Sequence, residues 1–199
     1  MCEAVVDRVN IPVTAKMRLG IGQGNFNAKE ICQELENVGI QRLCVHGRTL
    51  RQRYSGVADW DYITEVVDSV DTPVIANGDV VDAKTAKACL SQTNAAGLMV
   101  GRGAIGRPAV FGEIKVGLGW MEREDLPWIA AHDGNWDDLD YVAQQFATRR
   151  WCWNRYIELA RETTGLNLKS MRGHAVSFTK GLPSAKKIRN IMHGKQSRE

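Results

Sequence analysis

The sequence predicts an α/β fold: the C-terminal half of a TIM (β/α)8 barrel followed by a small all-helical domain. Four short apolar runs recur about thirty residues apart, and segments with helical periodicity lie between them. Strands that alternate with helices of this length form βαβ units and a parallel sheet. A complete barrel needs eight such units in ~250 residues, whereas this chain of 199 residues supplies four before its pattern changes.

The predicted elements follow one another in a regular order. The strands are expected over residues 11–19, 40–47, 72–79 and 95–103, and the helices between them over 27–39, 59–70 and 82–93. In the first helix Ile31, Leu35 and Val38 share one face. Gly39 supplies its C-terminal stop, and Asp59 is the N-cap of the second helix. Strands this apolar are expected to be covered on both faces of the sheet.

The pattern changes after residue 112. We predict three regions: a partial barrel over 1–112, an irregular connection over 113–136 and a helical domain over 137–199. Pro183 is expected to start the last helix. A half-barrel leaves an exposed sheet edge, so we expect the chain to be the C-terminal part of a longer protein or to pair with a second chain.

Composition excludes several classes of protein. No apolar run approaches the ~20 residues needed to cross a bilayer, so no membrane association is expected. The five cysteines are odd in number and widely spaced, without a C-x-x-C pair. This pattern argues against a disulfide framework and a zinc site, and for a reducing cytoplasm. The net charge of +3 is small, but basic residues outnumber acidic ones from Arg149 onwards, which allows a basic face there.

Each predicted strand ends in polar residues or glycine, in the pairs Lys16 and Arg18, His46 and Arg48, Asn77 and Asp79, and Gly101 and Arg102. Ligands of parallel α/β folds bind at the carboxyl ends of the strands, and the last two loops of a barrel commonly hold a phosphate. Small residues in "ANGD" (76–79) and "VGRG" (100–103) let the backbone approach an oxyanion, and an arginine adds charge-assisted bonds.

Simpler structural interpretations of these residues stay open. His46 could be a structural histidine with its hydrogen bonds satisfied, and the segment 77–79 could be a plain turn. Lys16 is harder to explain structurally, because a lysine buried in an apolar strand needs a partner.

Five motifs in this order resemble the tRNA-dihydrouridine synthases. They are "PVTAKMRLG", "VHGRTLRQRYSGVADW", "PVIANGDV", "GLMVGRGAIGRP" and "MRGHAVSFTKGLPSAKKIRNIM". The resemblance covers nearly the whole chain and is weakest between about 113 and 140. It implies an FMN-binding barrel followed by a helical RNA-binding domain. It also implies reduction of the C5–C6 bond of uridines in tRNA, with NADPH reloading the flavin.

The resemblance also implies roles for individual residues. Lys16 would contact the flavin and the target base, and His46 would face the flavin ring. The ribityl phosphate would be held by Asn77, Gly78, Asp79, Gly101 and Arg102. The residues expected to contact the tRNA substrate are Arg18, Arg48, Arg172, His174 and Lys180, and a basic rim of Arg51, Arg53 and Tyr54 is expected to hold the flanking RNA.

The chain departs from the family pattern in several places. The family's proton-donating cysteine lies in a loop upstream of these motifs and none of the five cysteines matches it, so we assign no catalytic residue and expect the isolated chain to be inactive. Gly173 stands where a basic residue is usual, and Ser177 and Phe178 stand where paired aromatics are usual.

Two other functions remain open from the sequence. One is a small-molecule flavin oxidoreductase of the dihydroorotate or dihydropyrimidine dehydrogenase type, although such an enzyme has no use for a basic helical tail. The other is a non-catalytic remnant that binds RNA or a partner chain.

Overall fold

The chain contains a parallel sheet with helices between its strands. A computed structural model describes residues 1–22, 24–165 and 167–192. In these ranges the strands are β1 (Thr14–Arg18), β2 (Gly20–Gly22), β3 (Asn25–Phe26), β4 (Arg42–His46), β5 (Val74–Asn77) and β6 (Gly97–Met99). Strands β1, β4, β5 and β6 pair in parallel in that order, and β2 and β3 form an antiparallel pair. The predicted α/β fold with a parallel sheet is confirmed.

The helices of the described residues alternate with the strands and then follow them. They are α1 (Cys2–Val6), α2 (Ala28–Asn37), α3 (Trp60–Val67), α4 (Ala83–Thr93), α5 (Val110–Gly117), α6 (Pro127–Ala130), α7 (Tyr141–Glu162), α8 (Leu168–Phe178) and α9 (Ala185–Met192). Asp59 caps α3 as predicted, because its carboxylate accepts from the Tyr62 N–H at 2.9 Å. Gly39 follows α2 with φ +87°, the left-handed conformation that favours glycine at a helix end.

The register of the sheet aligns the last residues of its four strands. Arg18 pairs with His46, His46 with Asn77, and Asn77 with Met99. Side chains aligned in a parallel sheet point to the same face. These four residues therefore form one row across the sheet, which we call the upper row.

Helices cover one face of this sheet. The residues that alternate with the upper row face α2, α3 and α4 and are buried; they include Leu43, Val45, Val74 and Ala76. On the opposite face Lys16 and Met99 are exposed. The expectation that both faces would be covered is therefore wrong for the described residues.

The chain forms two compact units, Met1–Gly103 and Ala104–Glu199. The second unit is helical, and Leu126, Trp128 and Trp136 are buried in its core beside Cys152. Residues 113–136, expected to be an irregular connection, thus contain α6 and supply core side chains. The identification of the first unit as half of a barrel stays a prediction.

Within the second unit, the end of α8 packs closely on Gly106. Arg149 on α7 donates to the Gly106 carbonyl at 2.7 Å and to the Phe178 carbonyl at 3.2 Å. Gly106 has φ +71°, and a Cβ atom there would overlap the backbone of Ser177. Glycine is therefore required at this position both for backbone conformation and for space.

The described residues contain no candidate membrane span and no candidate metal cluster. No helix among them is both long enough and apolar enough to cross a membrane. No group of three or more histidine, cysteine, aspartate or glutamate side chains among them could hold a metal ion.

The close approach at Gly106 gives a test of the second unit. We expect Gly106→Ala to lower the free energy of unfolding by about 2–3 kcal/mol, since the added methyl group meets backbone in a strained conformation. Urea denaturation measures the change. Gly173→Ala is the matched control: Gly173 is exposed on α8 and a Cβ atom there has no neighbour within 4 Å among the described residues. That control is expected to gain about 0.5–1 kcal/mol from helix propensity. Equal effects of the two substitutions would contradict the packing described.

Candidate functional site

A cavity of about 500 Å³ lies on the open face of the first unit, at the carboxyl ends of the strands. All seven residues predicted to bind a cofactor line it, together with Arg18; the seven are Lys16, His46, Asn77, Gly78, Asp79, Gly101 and Arg102. The upper row contributes one residue from each of the four strands. The sheet thus brings together residues that are more than eighty positions apart in the chain.

The upper row is held in place by hydrogen bonds to backbone carbonyls. Arg18 donates through Nη1 to the carbonyl oxygens of Thr49 at 2.9 Å and Arg53 at 3.0 Å. Asn77 donates through Nδ2 to the Met99 carbonyl at 2.8 Å, which ties β5 to β6 at the cavity. Lys16, which was expected to be buried, is exposed on the cavity side of β1.

His46 is neutral at physiological pH. Burial, and after it the positive charges of Arg18, Lys16 and Arg48, lower the pKa of His46 to about 4 against the opposing effect of Asp79. The imidazole is only 7% exposed, so desolvation of its charged form is costly. A neutral imidazole between cations can both donate and accept a hydrogen bond, and adds no positive charge of its own.

Glycines that follow β5 and β6 line the cavity. Gly78 has φ +124°, and its carbonyl accepts from the Trp60 indole N–H at 3.1 Å. A Cβ atom at Gly78 would lie 2.6 Å from the Ala58 methyl and 3.1 Å from the His46 ring. Among the described residues, no acceptor pairs with the backbone N–H of Gly78 or Gly101. Such amides are suited to binding an oxyanion.

Arg48 does not line the cavity, although it was predicted to contact substrate. The Arg48 N–H bonds to the His46 carbonyl at 2.7 Å, so the chain turns tightly at Gly47 and the side chain leaves the cavity face. The guanidinium is only 2% exposed and donates to the carbonyls of Ser55 at 3.2 Å and Gly56 at 2.6 Å. It lies beneath the loop that follows β4.

Asp79 is an ion-pair partner of Arg48. Its Oδ2 accepts from Arg48 Nη2 at 2.8 Å and from the Ala58 N–H at 2.7 Å. Burial alone would raise the pKa of Asp79, but the hydrogen bond from Ala58 and the bond and charge of Arg48 leave that pKa below its usual value. The carboxylate is therefore ionised, and a phosphate would meet a negative charge there.

Tyr54 closes one side of the cavity. The Arg102 guanidinium carbon lies 4.2 Å from the centroid of the Tyr54 ring, and that of Arg18 lies 5.8 Å away. Both distances are within the range of cation–π attraction. Arg51 and Arg53 line an adjoining surface with Tyr54, so the residues predicted to form a basic rim are neighbours.

The remaining predicted substrate residues lie in the second unit. Arg172, His174 and Lys180 are all exposed. The His174 Nδ1 atom lies 2.6 Å from the Tyr156 hydroxyl, so this ring is already hydrogen-bonded within its own unit.

Sequence reasoning did not single out Val80, Val81 and Met99, which line the cavity, or Trp60, which bonds to a residue of its lining. Trp60 fixes the Gly78 carbonyl, and Met99 completes the upper row. Met99 pairs with Asn77 in the sheet, and this pairing of β5 with β6 could not be derived from the sequence. No sequence pattern indicated the hydrogen bond from the Trp60 indole, because a tryptophan at the first position of a helix is explained by packing alone.

The cysteines of the chain are free thiols, and none is among the lining residues of this cavity. Cys44 lies on β4, and its Sγ is 3.4 Å from the Met99 Sδ. Burial raises the pKa of the Cys44 thiol against the opposing charge of Lys16.

The Arg48–Asp79 ion pair is expected to show strong energetic coupling. Asp79→Asn leaves the buried Arg48 charge without its counter-ion, and Arg48→Met removes the donor to Asp79 and to the Ser55 and Gly56 carbonyls. Each substitution should lower the free energy of unfolding by about 2–3 kcal/mol. The double variant should lose less than the sum of the two by about 1–3 kcal/mol. Chemical denaturation of the four proteins measures this coupling, and strictly additive losses would contradict the ion pair.

The lowered pKa of His46 predicts a loss of stability in acid. Between its unfolded value of 6.5 and its folded value of about 4, the unfolded chain binds a proton that the folded protein does not. The free energy of unfolding therefore falls as the pH drops through this window. In His46→Gln the fall between pH 7 and pH 4.5 should be smaller by about 1–2 kcal/mol. Identical pH profiles for the two proteins would show that His46 titrates normally.

Comparison with known proteins identifies the family of the chain. The sequence model of the family described as dihydrouridine synthase (Dus) matches residues 1–199. A probable tRNA-dihydrouridine synthase of Rickettsia conorii is 37% identical over 191 residues, which is 96% of this chain and 53% of that protein. One of Rhodobacter capsulatus is 48% identical over 127 residues, 64% of this chain and 39% of that protein. The tRNA-dihydrouridine synthase B of Serratia marcescens is 48% identical over 112 residues, 56% of this chain and 34% of that protein.

Some curated relatives match nearly the whole of this chain, and the chain spans about half the length of those relatives. The family match nevertheless covers the whole chain, including the strand ends that line the cavity. The resemblance found in the sequence motifs is thereby confirmed, and the chain belongs to the dihydrouridine synthase family.

Proposed function

We propose that the cavity of the first unit binds FMN, and that the protein containing this chain reduces the C5–C6 bond of uridine in tRNA with NADPH as the source of electrons. The observation that carries the proposal is the convergence of the upper row and two glycine turns on one cavity lined by Lys16, Arg18 and Arg102. Its family membership gives independent support.

The cavity fits the phosphate end of FMN. Gly78, Gly101 and Arg102 line it, and the N–H groups of the two glycines have no acceptor among the described residues. Together they supply the amide donors and positive charge that a phosphate monoester needs. The volume of about 500 Å³ lies within the range of ~300–1,000 Å³ that is common for cofactor pockets.

The lining residues on and near β1 would contact the isoalloxazine ring of the flavin. Bound FMN would supply the reducing equivalents for the uridine. Lys16 carries positive charge on the open face, which favours the reduced, anionic flavin. His46, kept neutral by burial, would orient the ring by hydrogen bonding. Arg18 is anchored by two carbonyl oxygens beside this region and would contact the target base.

A uridine in folded RNA has to leave its stack to reach this cavity. The rim of Arg51, Arg53 and Tyr54 would hold the flanking backbone by charge and ring contacts. In the second unit the exposed side chains of Arg172 and Lys180 would contact the tRNA. His174 would contact it too, with its ring held by the hydrogen bond to Tyr156.

The sheet of the first unit would form the second half of an eight-stranded barrel. Strands β1 and β6 are at its two edges in the described residues. Unpaired edges accept further strands, and the open face that carries the cavity would become the inside of the barrel. The remaining strands would come from the same polypeptide or from a second chain.

The 199-residue chain alone is expected to leave uridine unreduced. No cysteine is among the residues that line its cavity, and the Cys44 thiol holds its proton tightly and contacts Met99. We expect no dihydrouridine after incubation of this chain with FMN, NADPH and unmodified tRNA, measured by mass spectrometry of the digested tRNA. Detectable dihydrouridine would contradict this expectation.

The function itself is tested by deletion of the gene and complementation with its whole reading frame. We expect dihydrouridine to disappear from one or more tRNA positions on deletion and to return with the wild-type protein. The Lys16→Met variant should restore at least tenfold less dihydrouridine than the wild-type protein, since the substitution removes the positive charge beside the flavin. Lys87→Met is the control, because Lys87 is exposed on α4, which packs on the other face of the sheet.

Unchanged dihydrouridine after deletion would contradict the proposal. If the purified protein then held flavin and reduced a free pyrimidine, the small-molecule oxidoreductase would be favoured. If it bound tRNA without flavin, the non-catalytic RNA-binding role would be favoured.

A further inference from the structure

Arg102, the cation at the phosphate end of the cavity, is held between two neighbours. Its guanidinium lies over the Tyr54 ring with 4.2 Å from Cζ to the centroid. Its Nη2 lies 4.0 Å from Asp79 Oδ1. The side chain is 52% exposed, so without these contacts it would sample many rotamers, and ordering it on a ligand would cost conformational entropy.

Both neighbours of Arg102 depend on the buried guanidinium of Arg48. Nη2 of Arg48 bonds to Asp79 Oδ2 at 2.8 Å, which leaves Oδ1 directed towards Arg102. The same guanidinium donates to the carbonyls of Ser55 and Gly56, the two residues that follow Tyr54. One fixed, desolvated group thus sets the position of the carboxylate on one side of Arg102 and of the aromatic ring on the other.

The Asp79 carboxylate is unsuited to be a phosphate ligand. It is an ionised acceptor whose Oδ2 is occupied by Arg48 and by the Ala58 N–H. A carboxylate has no proton to donate to a phosphate and would repel it. Asp79 has φ +57°, and its side chain bonds to Arg48 while remaining 32% exposed.

We propose that Arg48 and Asp79 are positioning residues for Arg102, and that their ion pair determines how strongly the site prefers a phosphorylated ligand over its dephosphorylated form. The inference rests on the proposed function for the identity of that ligand, a flavin carrying a phosphate monoester. Arg48 then takes no part in substrate contact, and Asp79 acts through Arg102 rather than on the cofactor.

The test compares FMN with riboflavin, which differ only in the phosphate. The protein is produced from its whole reading frame, and the dissociation constants of both flavins are measured by fluorescence titration. The ratio of riboflavin to FMN dissociation constants reports the contribution of the phosphate. Asp79→Asn is the main variant, since asparagine tolerates a positive φ and has nearly the same shape. Asp61→Asn is the matched control, because Asp61 is exposed on α3 and contacts Gln92.

We expect Arg102→Met to lower the ratio by about 10- to 100-fold, the range for loss of a charge-assisted hydrogen bond. Asp79→Asn should lower it by about 3- to 10-fold, with little change in riboflavin affinity. The double variant should match Arg102→Met alone, because Asp79 has no effect without the side chain that it positions. Asp61→Asn should leave the ratio unchanged.

Two results would overturn the inference. A higher ratio in Asp79→Asn would mean that the carboxylate only repels the phosphate. A proportional loss of both affinities would mean that the ion pair only stabilises the fold.

A readout that needs no flavin separates this inference from the proposed function. In the NMR spectrum of the flavin-free protein, the Arg102 Nε–H signal should be shifted by the ring current of Tyr54. Arg48→Lys should abolish that shift, because an ammonium cannot bond to Asp79 and both carbonyls in the same geometry. A shift that survives in Arg48→Lys contradicts the positioning role. Failure of the wild-type protein to bind either flavin contradicts only the proposed function.

Discussion

The first unit is organised around one ion pair, between the buried Arg48 and the partly exposed Asp79. A guanidinium that is 2% exposed has to find partners, because an isolated charge in the interior is very costly. Its bonds to the carbonyls of Ser55 and Gly56 and to the Asp79 carboxylate join the loop after β4 to the turn after β5. The Ala58 N–H completes this link from the segment that leads into α3. The two segments that border the cavity therefore keep a fixed relation to each other.

The charges at the cavity have consequences for its ligand. Lys16, Arg18 and Arg102 line it, and the Asp79 carboxylate is already paired. His46 stays neutral because burial and the surrounding cations oppose its protonation. The site consequently presents an excess of positive charge and unpaired backbone amides in the described residues, which suits an anion such as a phosphate monoester. The same positive surface continues to the rim, which Arg51 and Arg53 line.

Sequence periodicity was sufficient for the four parallel strands, for the helices between them and for the approximate position of the site. Alternating strands and helices put His46, Asn77 and Arg102 at the same edge of a parallel sheet, and the cavity lies at that edge. Periodicity could not show which side chains turn inward. A strict period of two would place Arg48 on the same face as His46, but the tight turn at Gly47 moves it beneath the loop. That turn depends on contacts with distant segments, including the bond from the Gly47 N–H to the Asn77 carbonyl at 2.9 Å.

The second unit shows a related limit. Its long helices were predictable, whereas α6, with four residues, is too short to have a readable period. Trp128 and Trp136 of that region pack against α7, and no local sequence periodicity indicates this contact. Burial of large aromatic side chains is non-directional, so composition could indicate a core there but not its arrangement.

The most direct measurement is the identity and amount of cofactor in the protein produced from its whole reading frame. Heat denaturation releases a non-covalent flavin, and chromatography against standards separates FMN, riboflavin and FAD. We expect FMN at close to one molecule per chain, because backbone amides and a guanidinium at the ends of β5 and β6 are suited to a phosphate monoester. A protein that binds no flavin, or binds riboflavin as tightly as FMN, would contradict it.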